Sequence, residues 1–430
     1  MQNTLTQHSI DFPNLFSGIS LPIGPVAFRL FGLEVYWYGI IITAAVVLGI
    51  AYAIKFAWRA GLLPDNVFEI AFWGVLGGVI GARAYYVIFW NLNPETFPNY
   101  TFLTAITGIR DGGLAIYGGL IGSLIAVLIA TKFIKVKVAP FADLIGLGFL
   151  IGHCIGRWGN FFNQEAFGSP TAGNLPWGMT GDVISHSPPV IEAQRELGIT
   201  GLALVHPCFL YESLWCLIGF VLLHFYLKRA STEKITDSTN SEFKFKWFRK
   251  TFDGEIFLLY IVWYGMGRAM IEALRLDSLM LGSLRVSQVL AIASAVFALG
   301  ALIYFKKMFA AKIANGDYIL FKDTEESKVA VEEYLKKVKV DKEKEEAKSE
   351  FKKAHRELND PFAESIIDED VIEDIEEMGE ATDKHEVEKI DKCVEADEAD
   401  DVKETKEADV EEINKDVDEI AEEKKDGEIT

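Results

Sequence analysis

The sequence predicts an all-α polytopic membrane protein, with seven transmembrane helices followed by a disordered acidic tail. Three observations predict this fold class: long apolar stretches, a one-sided distribution of Lys and Arg between them, and an abrupt change of charge. The chain has 430 residues and a formal net charge of −20. Residues 323–430 contain 42 Asp and Glu against 18 Lys and Arg, whereas residues 1–322 contain 20 against 24. This split disfavours a soluble enzyme, and it disfavours a nucleic-acid binder, which needs a concentrated basic face.

The body of the chain contains seven apolar stretches of about 20 residues, the length of a membrane-spanning helix. They are continuously apolar, and only helices satisfy every backbone group within one such segment in lipid. The first starts too late and is too long for a signal peptide, so we interpret it as a retained span. The predicted spans are 36–58, 66–90, 113–134, 139–160, 207–227, 255–273 and 284–305.

The loops between these spans differ in charge. Lys and Arg concentrate after the first, third, fifth and seventh spans, within residues 55–59, 132–137, 228–250 and 306–312, and are scattered elsewhere. Because basic loops stay on the cytoplasmic side, we expect the N-terminus outside and the C-terminus in the cytoplasm. Residues 163–205 then form one long outer loop, whose Gly, Pro and aromatic residues are typical of a folded cap.

The tail is predicted to be a separate region. We place the membrane domain at residues 1–310 and a largely disordered cytoplasmic tail at 311–430, because the tail has too few apolar residues to offset the entropy of ordering. Residues 325–357 have Glu and Lys four apart, which favours transient helix. A cut near residue 315 is therefore expected to leave the activity of the membrane domain intact. The sequence names no partner for the tail.

Ionisable residues inside membrane spans are costly and therefore indicate function. The predicted topology brings polar residues from five spans to one layer near the outer leaflet. Four of them recur at helical spacing on the sixth span, and two lie three apart at the end of the fourth. The residues of this layer are Tyr38, Tyr117, Arg157, Asn160, His206, Tyr211, Glu212, Tyr264, Arg268, Glu272 and Arg275.

The chemistry of this layer suits an anionic lipid headgroup. Arginine stays protonated and offers a fork of donors that matches phosphate. Asp143 lies about four turns deeper than Arg157 on the same helix, so we expect a structural ion pair or helix start there. The histidines and cysteines have no metal-ligand spacing, so neither a metal nor a cofactor is predicted. An enzyme acting on a lipid headgroup and an anion transporter both remain, and the absence of internal repeats favours the enzyme.

One segment carries a family resemblance. The run GRWGNFFNQEAFG at residues 156–168 resembles the signature of the prolipoprotein diacylglyceryl transferase family, G-R-x-x-N-F-x-N-x-E-x-x-G, at every fixed position. Further matches are HPCFLYE at 206–212, YGMGR at 264–268 and GGLAIYGGL at 112–120. The resemblance covers about residues 20–310 and leaves the tail outside.

The resemblance implies a reaction and a location. Such an enzyme moves the diacylglyceryl group of phosphatidylglycerol to the sulfhydryl of the lipobox cysteine of a prolipoprotein and releases glycerol 1-phosphate. It needs no cofactor, does not bind nucleic acid, and lies in the bacterial cell membrane with its site towards the outer leaflet.

The resemblance also implies roles for individual residues. Arg157 and Arg268 would bind the phosphate as catalytic residues, and Glu272 would hold Arg268. The expected headgroup-binding residues are Tyr38, Gly112, Gly113, Asn160, Asn163, Glu165 and Arg275. The expected supporting residues are Asp143, His206, Tyr211, Glu212 and Tyr264.

Tyr117 departs from the family, whose other members carry His at this position. A tyrosine has a pKa near 10 and is a poor general base at neutral pH. Either neighbouring arginines lower its pKa, or it hydrogen-bonds the headgroup while a cationic field activates the substrate thiol. We favour the second alternative.

Overall fold

The computed structural model describes residues 9–91, 113, 115–171, 173, 175–232, 250–282 and 284–357. This part of the chain is mostly helical. In chain order the helices are α1 (Trp37–Lys55), α2 (Pro64–Asn91), α3 (Ile116–Ile134), α4 (Val138–Asn163), α5 (Asp182–Ser185), α6 (Pro188–Glu196), α7 (Cys208–Thr232), α8 (Glu255–Glu272), α9 (Val286–Ala314) and α10 (Glu325–Glu357).

Within the described ranges, six helices are long and apolar enough to cross a membrane: α1, α2, α3, α4, α7 and α9. The chain is therefore a polytopic membrane protein. The remaining predicted span, residues 255–273, is the 18-residue helix α8. Within its 18 residues α8 carries three charged side chains, Glu255, Arg268 and Glu272, which sets it apart from the six. Its contacts with α4, α7 and α9 nevertheless place it inside the bundle.

Short strands accompany the helices, which the prediction of an all-α protein did not include. They form small antiparallel sheets in the orders β2-β1-β6, β3-β4, β5-β7 and β8-β9. Strands of two to five residues are too short to show alternating polarity in a sequence. They are β1 (Ile10–Phe12), β2 (Ile19–Leu21), β3 (Val26–Leu30), β4 (Leu33–Tyr36), β5 (Pro170–Thr171), β6 (Thr180–Gly181), β7 (Leu204–Val205), β8 (Met280–Leu281) and β9 (Leu284–Arg285).

The long loop at 163–205 is folded together with the N-terminal segment. Strand β1 pairs with β2 on one side and with β6, from the loop, on the other. Ile10 is fully buried in a cluster that includes Phe161, Met179 and Phe209. These elements form a cap over the end of α4, and the cap positions the residues that follow this helix.

Helix α4 is the centre of the bundle and contacts α1, α7 and α8. Leu144, Leu147 and Leu150 are fully buried at a spacing of three residues along one side of it. On the α1 side, Gly49 and Gly148 face each other. A Cβ atom on Gly49 would lie 2.9 Å from the carbonyl oxygen of Gly148, so only glycines allow the two backbones to approach this closely.

The first compact unit of the chain runs to Tyr334, beyond the boundary expected at residue 310. After α9, Leu320 is buried and Phe321 packs against the core of the bundle. Charge composition alone did not predict that Leu320 and Phe321 pack on the bundle, and this packing favours an ordered chain at these residues.

The stretch predicted as a transient helix, residues 325–357, is helix α10, which continues into the second unit. Ion pairs between Lys339 and Glu343 (3.9 Å) and between Lys342 and Glu346 (3.6 Å) lie along its second half. The structure thus contains a helix where the sequence favoured one, and the largely disordered state of the tail stays a prediction. The remainder of the predicted tail, 358–430, lies outside the described residues.

We predict that Gly148→Val destabilises the bundle by about 1–3 kcal/mol, because the added side chain meets the backbone of α1. Thermal unfolding of the purified protein in detergent measures this. Gly300→Val is the matched control, since a Cβ atom on Gly300 of α9 meets nothing within 4 Å. Equal unfolding temperatures for the two variants would contradict the proposed close packing.

Candidate active site

Glu212 lies at the centre of the candidate site and binds two arginines from different helices. Its Oε2 atom contacts Nε of Arg157 on α4, and its Oε1 atom lies 2.5 Å from Nη1 of Arg268 on α8. Glu272, one turn further along α8, binds Nη2 of Arg268 at 2.6 Å. The side chains of Glu212 and Glu272 are only 5% and 2% exposed. Buried charges of this kind persist only when paired.

These four residues make the site nearly neutral in total charge, with two guanidinium groups and two carboxylates. A guanidinium has five N–H donors, and the carboxylates occupy only part of them. The arginines are therefore held in fixed positions with donors left for another acceptor. Sequence analysis placed Glu212 among the supporting residues, although its HPCFLYE motif marked it as part of the site.

The end of α4 continues this network towards the cap. Arg157 Nη1 donates to Asn160 Oδ1 at 3.3 Å, and Asn160 Nδ2 donates to Glu165 Oε1 at 2.8 Å. Asn163 Nδ2 reaches the same Glu165 oxygen at 3.2 Å. The chain can turn back here because Gln164 adopts a left-handed conformation with φ of 51°. The four polar fixed residues of the signature thus form one hydrogen-bonded chain.

Gln164 is a contributor that sequence analysis missed, because it occupies a variable position of the signature. Its side chain is buried and donates to the carbonyl oxygen of Ser9 at 3.2 Å. Its Oε1 atom accepts from the backbone N–H of Val183 at 3.2 Å. Gln164 therefore fastens the loop that carries Asn163 and Glu165 to both parts of the cap.

Arg275 follows α8 and has a carboxylate partner of its own. Its Nε and Nη2 atoms lie 2.9 and 2.8 Å from the two oxygens of Asp277, a bidentate pair that sequence analysis missed. Although partial burial would raise the pKa of Asp277, the hydrogen bonds from Arg275 hold it below its usual value. The backbone of Arg275 pairs with that of Gly168. This pairing joins the last glycine of the signature to the end of α8.

Two groups of aromatic residues surround the arginines. Trp177 of the cap donates to the hydroxyl of Tyr211 at 2.7 Å, and His206 Nδ1 lies 3.2 Å from the same hydroxyl. Burial lowers the pKa of His206, so its ring is neutral at pH 7. One turn before Arg157, the ring of His153 stacks on Tyr264 with centroids 4.3 Å apart. The stack of His153 and Tyr264 thus joins α4 to α8 beside Arg157, whereas the first group joins the cap to the start of α7.

Tyr38 and Tyr117 lie outside the ion-pair network. Tyr38 packs beside α4, where a Cβ atom on Gly159 would come within 2.9 Å of its ring. Tyr117 lies in the first turn of α3 and is 50% exposed. Among the described residues it has no hydrogen bond or ion pair to either arginine.

The glycines before Tyr117 lead to an arginine that sequence analysis did not single out. Gly113 has a φ of 80°, and its carbonyl oxygen accepts from Nη1 of Arg83 at 3.1 Å. Arg83 lies on α2, is 8% exposed, and has its guanidinium 5.3 Å from the ring centre of Tyr86. A charged residue within an apolar stretch was the available signal. Gly112 lies outside the described residues.

Asp143 lies at the opposite end of the bundle from the arginines. Its carboxylate accepts from the backbone N–H groups of Gly254 (2.9 Å) and Phe257 (3.0 Å) and lies 2.8 Å from Lys250 Nζ. Asp143 therefore caps the start of α8, and not the start of α4, the helix on which it lies. Within the described part of the chain, no group of three or more His, Cys, Asp or Glu residues could hold a metal.

The fold and this site define a helical membrane protein with partly buried arginines held by buried carboxylates at one end of its bundle. Residues 25–304 match the family described as prolipoprotein diacylglyceryl transferase, and the chain belongs to this family. Of the two classes that the residues alone left open, the enzyme is confirmed, since the family consists of transferases.

Named relatives are similar over the same region. The chain is 39% identical over 271 residues to phosphatidylglycerol–prolipoprotein diacylglyceryl transferase of Acaryochloris marina, covering 63% of this chain and 86% of that protein. The proteins of the same name from Finegoldia magna and Clostridioides difficile are each 37% identical to this chain over 283 residues. The matched region covers 66% of this chain, and it covers 96% and 95% of the two relatives, respectively.

We predict that Glu212→Gln lowers the free energy of unfolding by about 3 kcal/mol, because it leaves two partly buried guanidinium groups without their shared, buried carboxylate. Thermal or denaturant unfolding in detergent measures the loss. Glu34→Gln is the control, since the Arg29–Glu34 pair is exposed and its loss should not change stability measurably. A stable Glu212→Gln variant would show that the arginines do not depend on this carboxylate.

Proposed function

We propose that this chain transfers the diacylglyceryl group of phosphatidylglycerol to the sulfhydryl of the lipobox cysteine of a prolipoprotein, the first step of bacterial lipoprotein maturation. The observation that carries the proposal is the pair of partly buried arginines, Arg157 and Arg268, held by the buried carboxylate of Glu212 beside the hydrogen-bonded signature. The names of the relatives support the same donor and acceptor.

The proposed topology has seven spans, with α8 as the sixth in order. At about 1.5 Å per residue an 18-residue helix is roughly 27 Å long, close to the thickness of the hydrocarbon core. The charged residues of α8 are paired inside the bundle. Glu255 binds Lys306 of α9 at 2.9 Å, and Arg268 binds Glu212 and Glu272. Pairing of this kind supports a span in spite of the charges.

Contacts at both ends of α8 support the same topology. At its start, Lys306 near the end of α9 reaches Glu255, and just after its end Arg285, before α9, donates to the carbonyl oxygen of Ala273 at 2.8 Å. Helices α8 and α9 therefore run antiparallel over their length. With basic loops inside, the arginine end faces the outer leaflet of the bacterial cell membrane, and the N-terminus lies outside.

The proposed reaction forms a bond between the cysteine sulfur and a glyceryl carbon and breaks the bond between that carbon and a phosphate oxygen. The thiol proton passes to a base, and the leaving glycerol phosphate gains a negative charge as the bond breaks. Fixed N–H donors stabilise a charge that develops in this way without having to reorganise. Arg157 and Arg268, positioned by Glu212 and Glu272, are suited to this role.

The neutral balance of the site bears on how the thiol is activated. Glu212 and Glu272 offset the charges of the two arginines, so a general cationic field is weaker than the sequence suggested. We propose that the arginines act through directed hydrogen bonds to the phosphate. Tyr117, exposed at the start of α3, hydrogen-bonds the headgroup.

We predict that Arg157→Ala and Arg268→Ala each lower the transfer rate by at least about 100-fold, since each removes preorganised donors from the leaving phosphate. The assay uses purified protein, phosphatidylglycerol and a lipobox peptide with Cys or Ser at the acceptor position, and mass spectrometry detects the added diacylglyceryl group. Arg195→Ala, an exposed arginine of the cap, is the control. Full activity of either site variant would remove the phosphate-binding role.

We also predict that Tyr117→Phe retains activity within about tenfold of the wild type, the effect of losing one hydrogen bond. Its rate should depend on pH as the wild type does, because no base has been removed. A loss of several thousandfold, restored by Tyr117→His, would instead identify this position as the base.

A further inference from the structure

A short segment after the last membrane helix crosses the end of the bundle opposite to the arginines. We call residues 315–328, between α9 and the first turn of α10, the strap. The hydroxyl of Tyr318 donates to Asp253 Oδ2 at 3.0 Å and accepts from the backbone N–H of Asp253 at 3.2 Å. The backbone N–H of Phe321 donates to the same Oδ2 atom at 2.9 Å. Asp253 lies two residues before α8, so the strap binds directly at the start of that helix.

The strap also contacts three other helix ends. Lys322 Nζ donates to the carbonyl oxygen of Ser231 at the end of α7, at 3.1 Å. The buried hydroxyl of Ser327 donates to the carbonyl oxygen of Gly61, after α1, at 2.8 Å. Lys137, at the start of α4, has its Nζ atom 5.2 Å from the ring centre of Phe321. One segment thus joins the ends of α1, α4, α7 and α8.

Beneath the strap lies a buried charged group that fixes the start of α8. Lys250 binds Asp143 at 2.8 Å and Asp253 at 3.5 Å, and Asp143 caps the first N–H groups of the helix. Ion pairs removed from water depend on complete coordination of every member. Asp253 receives part of its coordination from Tyr318 and Phe321. The strap therefore completes this group as well as covering it.

The strap lies outside the region that the family shares, which ends at residue 304. We propose that this extension is a structural part of the membrane domain. The strap fixes the start of α8, and α8 thereby holds Arg268 and Glu272 in position at the opposite end of the helix. A helix is stiff over 18 residues, so a rotation or shift at Asp253 is transmitted to the arginine. The effect on stability is independent of the proposed function, whereas the effect on transfer rests on it.

Truncations test the proposal. Chains ending at Tyr334 and at Asn315 are compared with the full chain by thermal unfolding in detergent, without substrates. The chain ending at Tyr334 should have the same unfolding temperature as the full chain. The chain ending at Asn315 should unfold at a temperature about 5 °C or more lower, because contacts at four helix ends are lost. Adding a synthetic peptide of residues 316–334 to the shorter chain should raise its unfolding temperature back towards that of the full chain. Equal unfolding temperatures for all three chains would overturn the proposal.

Point variants in the full chain separate the contacts. Tyr318→Phe keeps the ring but removes the hydrogen bonds to Asp253, and Phe321→Ala removes the packed ring. Both should lower the unfolding temperature, whereas Val329→Ala, an exposed residue of α10, should not. If both strap variants behave like Val329→Ala, the contacts do not stabilise the fold and the proposal fails.

The positioning role needs a separate readout. The chain ending at Asn315 is assayed for transfer at a temperature where circular dichroism shows it fully folded. We expect kcat to fall severalfold while KM for the lipobox peptide stays within twofold, because the arginine is displaced but the peptide contacts are not. Unchanged kcat in the folded, truncated chain would overturn positioning through α8. Absence of transfer in the full chain would instead count against the proposed function and leave the unfolding result standing.

Discussion

A single carboxylate, that of Glu212, binds two arginines inside the helix bundle, and the arrangement of the site follows from it. Removing two guanidinium groups from water is unfavourable unless each keeps a partner, so α4, α7 and α8 have to meet where Glu212 reaches both. The stacked rings of His153 and Tyr264 lie beside this meeting point. Because the carboxylates balance the arginines, the proposed site works by directed hydrogen bonds to a phosphate more than by net charge.

Helix α8 is charged at both ends, and this explains why it is not among the six helices that are recognised as spans by length and composition. At one end Arg268 and Glu272 belong to the site, and at the other the helix is capped by Asp143 and held through Asp253. Each charged end is satisfied by neighbouring helices, and the apolar middle packs on α4. A helix fixed at both ends can hold an arginine in one position, which catalysis by preorganised donors requires.

The strap changes where the membrane domain ends. Charge counts place a boundary near residue 310, since they respond to the acidic residues that follow. Leu320, however, is buried, Phe321 is partly buried against the core of the bundle, and Tyr334 closes the first compact unit. A few apolar residues inside a charged stretch change the averages little, yet they are the ones that order the chain.

The sequence by itself determined the six apolar helices, the start of α10 and the members of the signature, because helix length and spacing along one segment are local properties. Local spacing also marked Arg157 and Arg268 as candidate site residues, and the family resemblance implied the phosphate-binding role that we propose for them. Only the tertiary structure decided that Glu212 joins them, that Asp277 belongs to Arg275, and that Tyr117 stands apart. Contacts between helices depend on how each one is rotated and tilted against its neighbours, and this emerges only when the whole bundle packs.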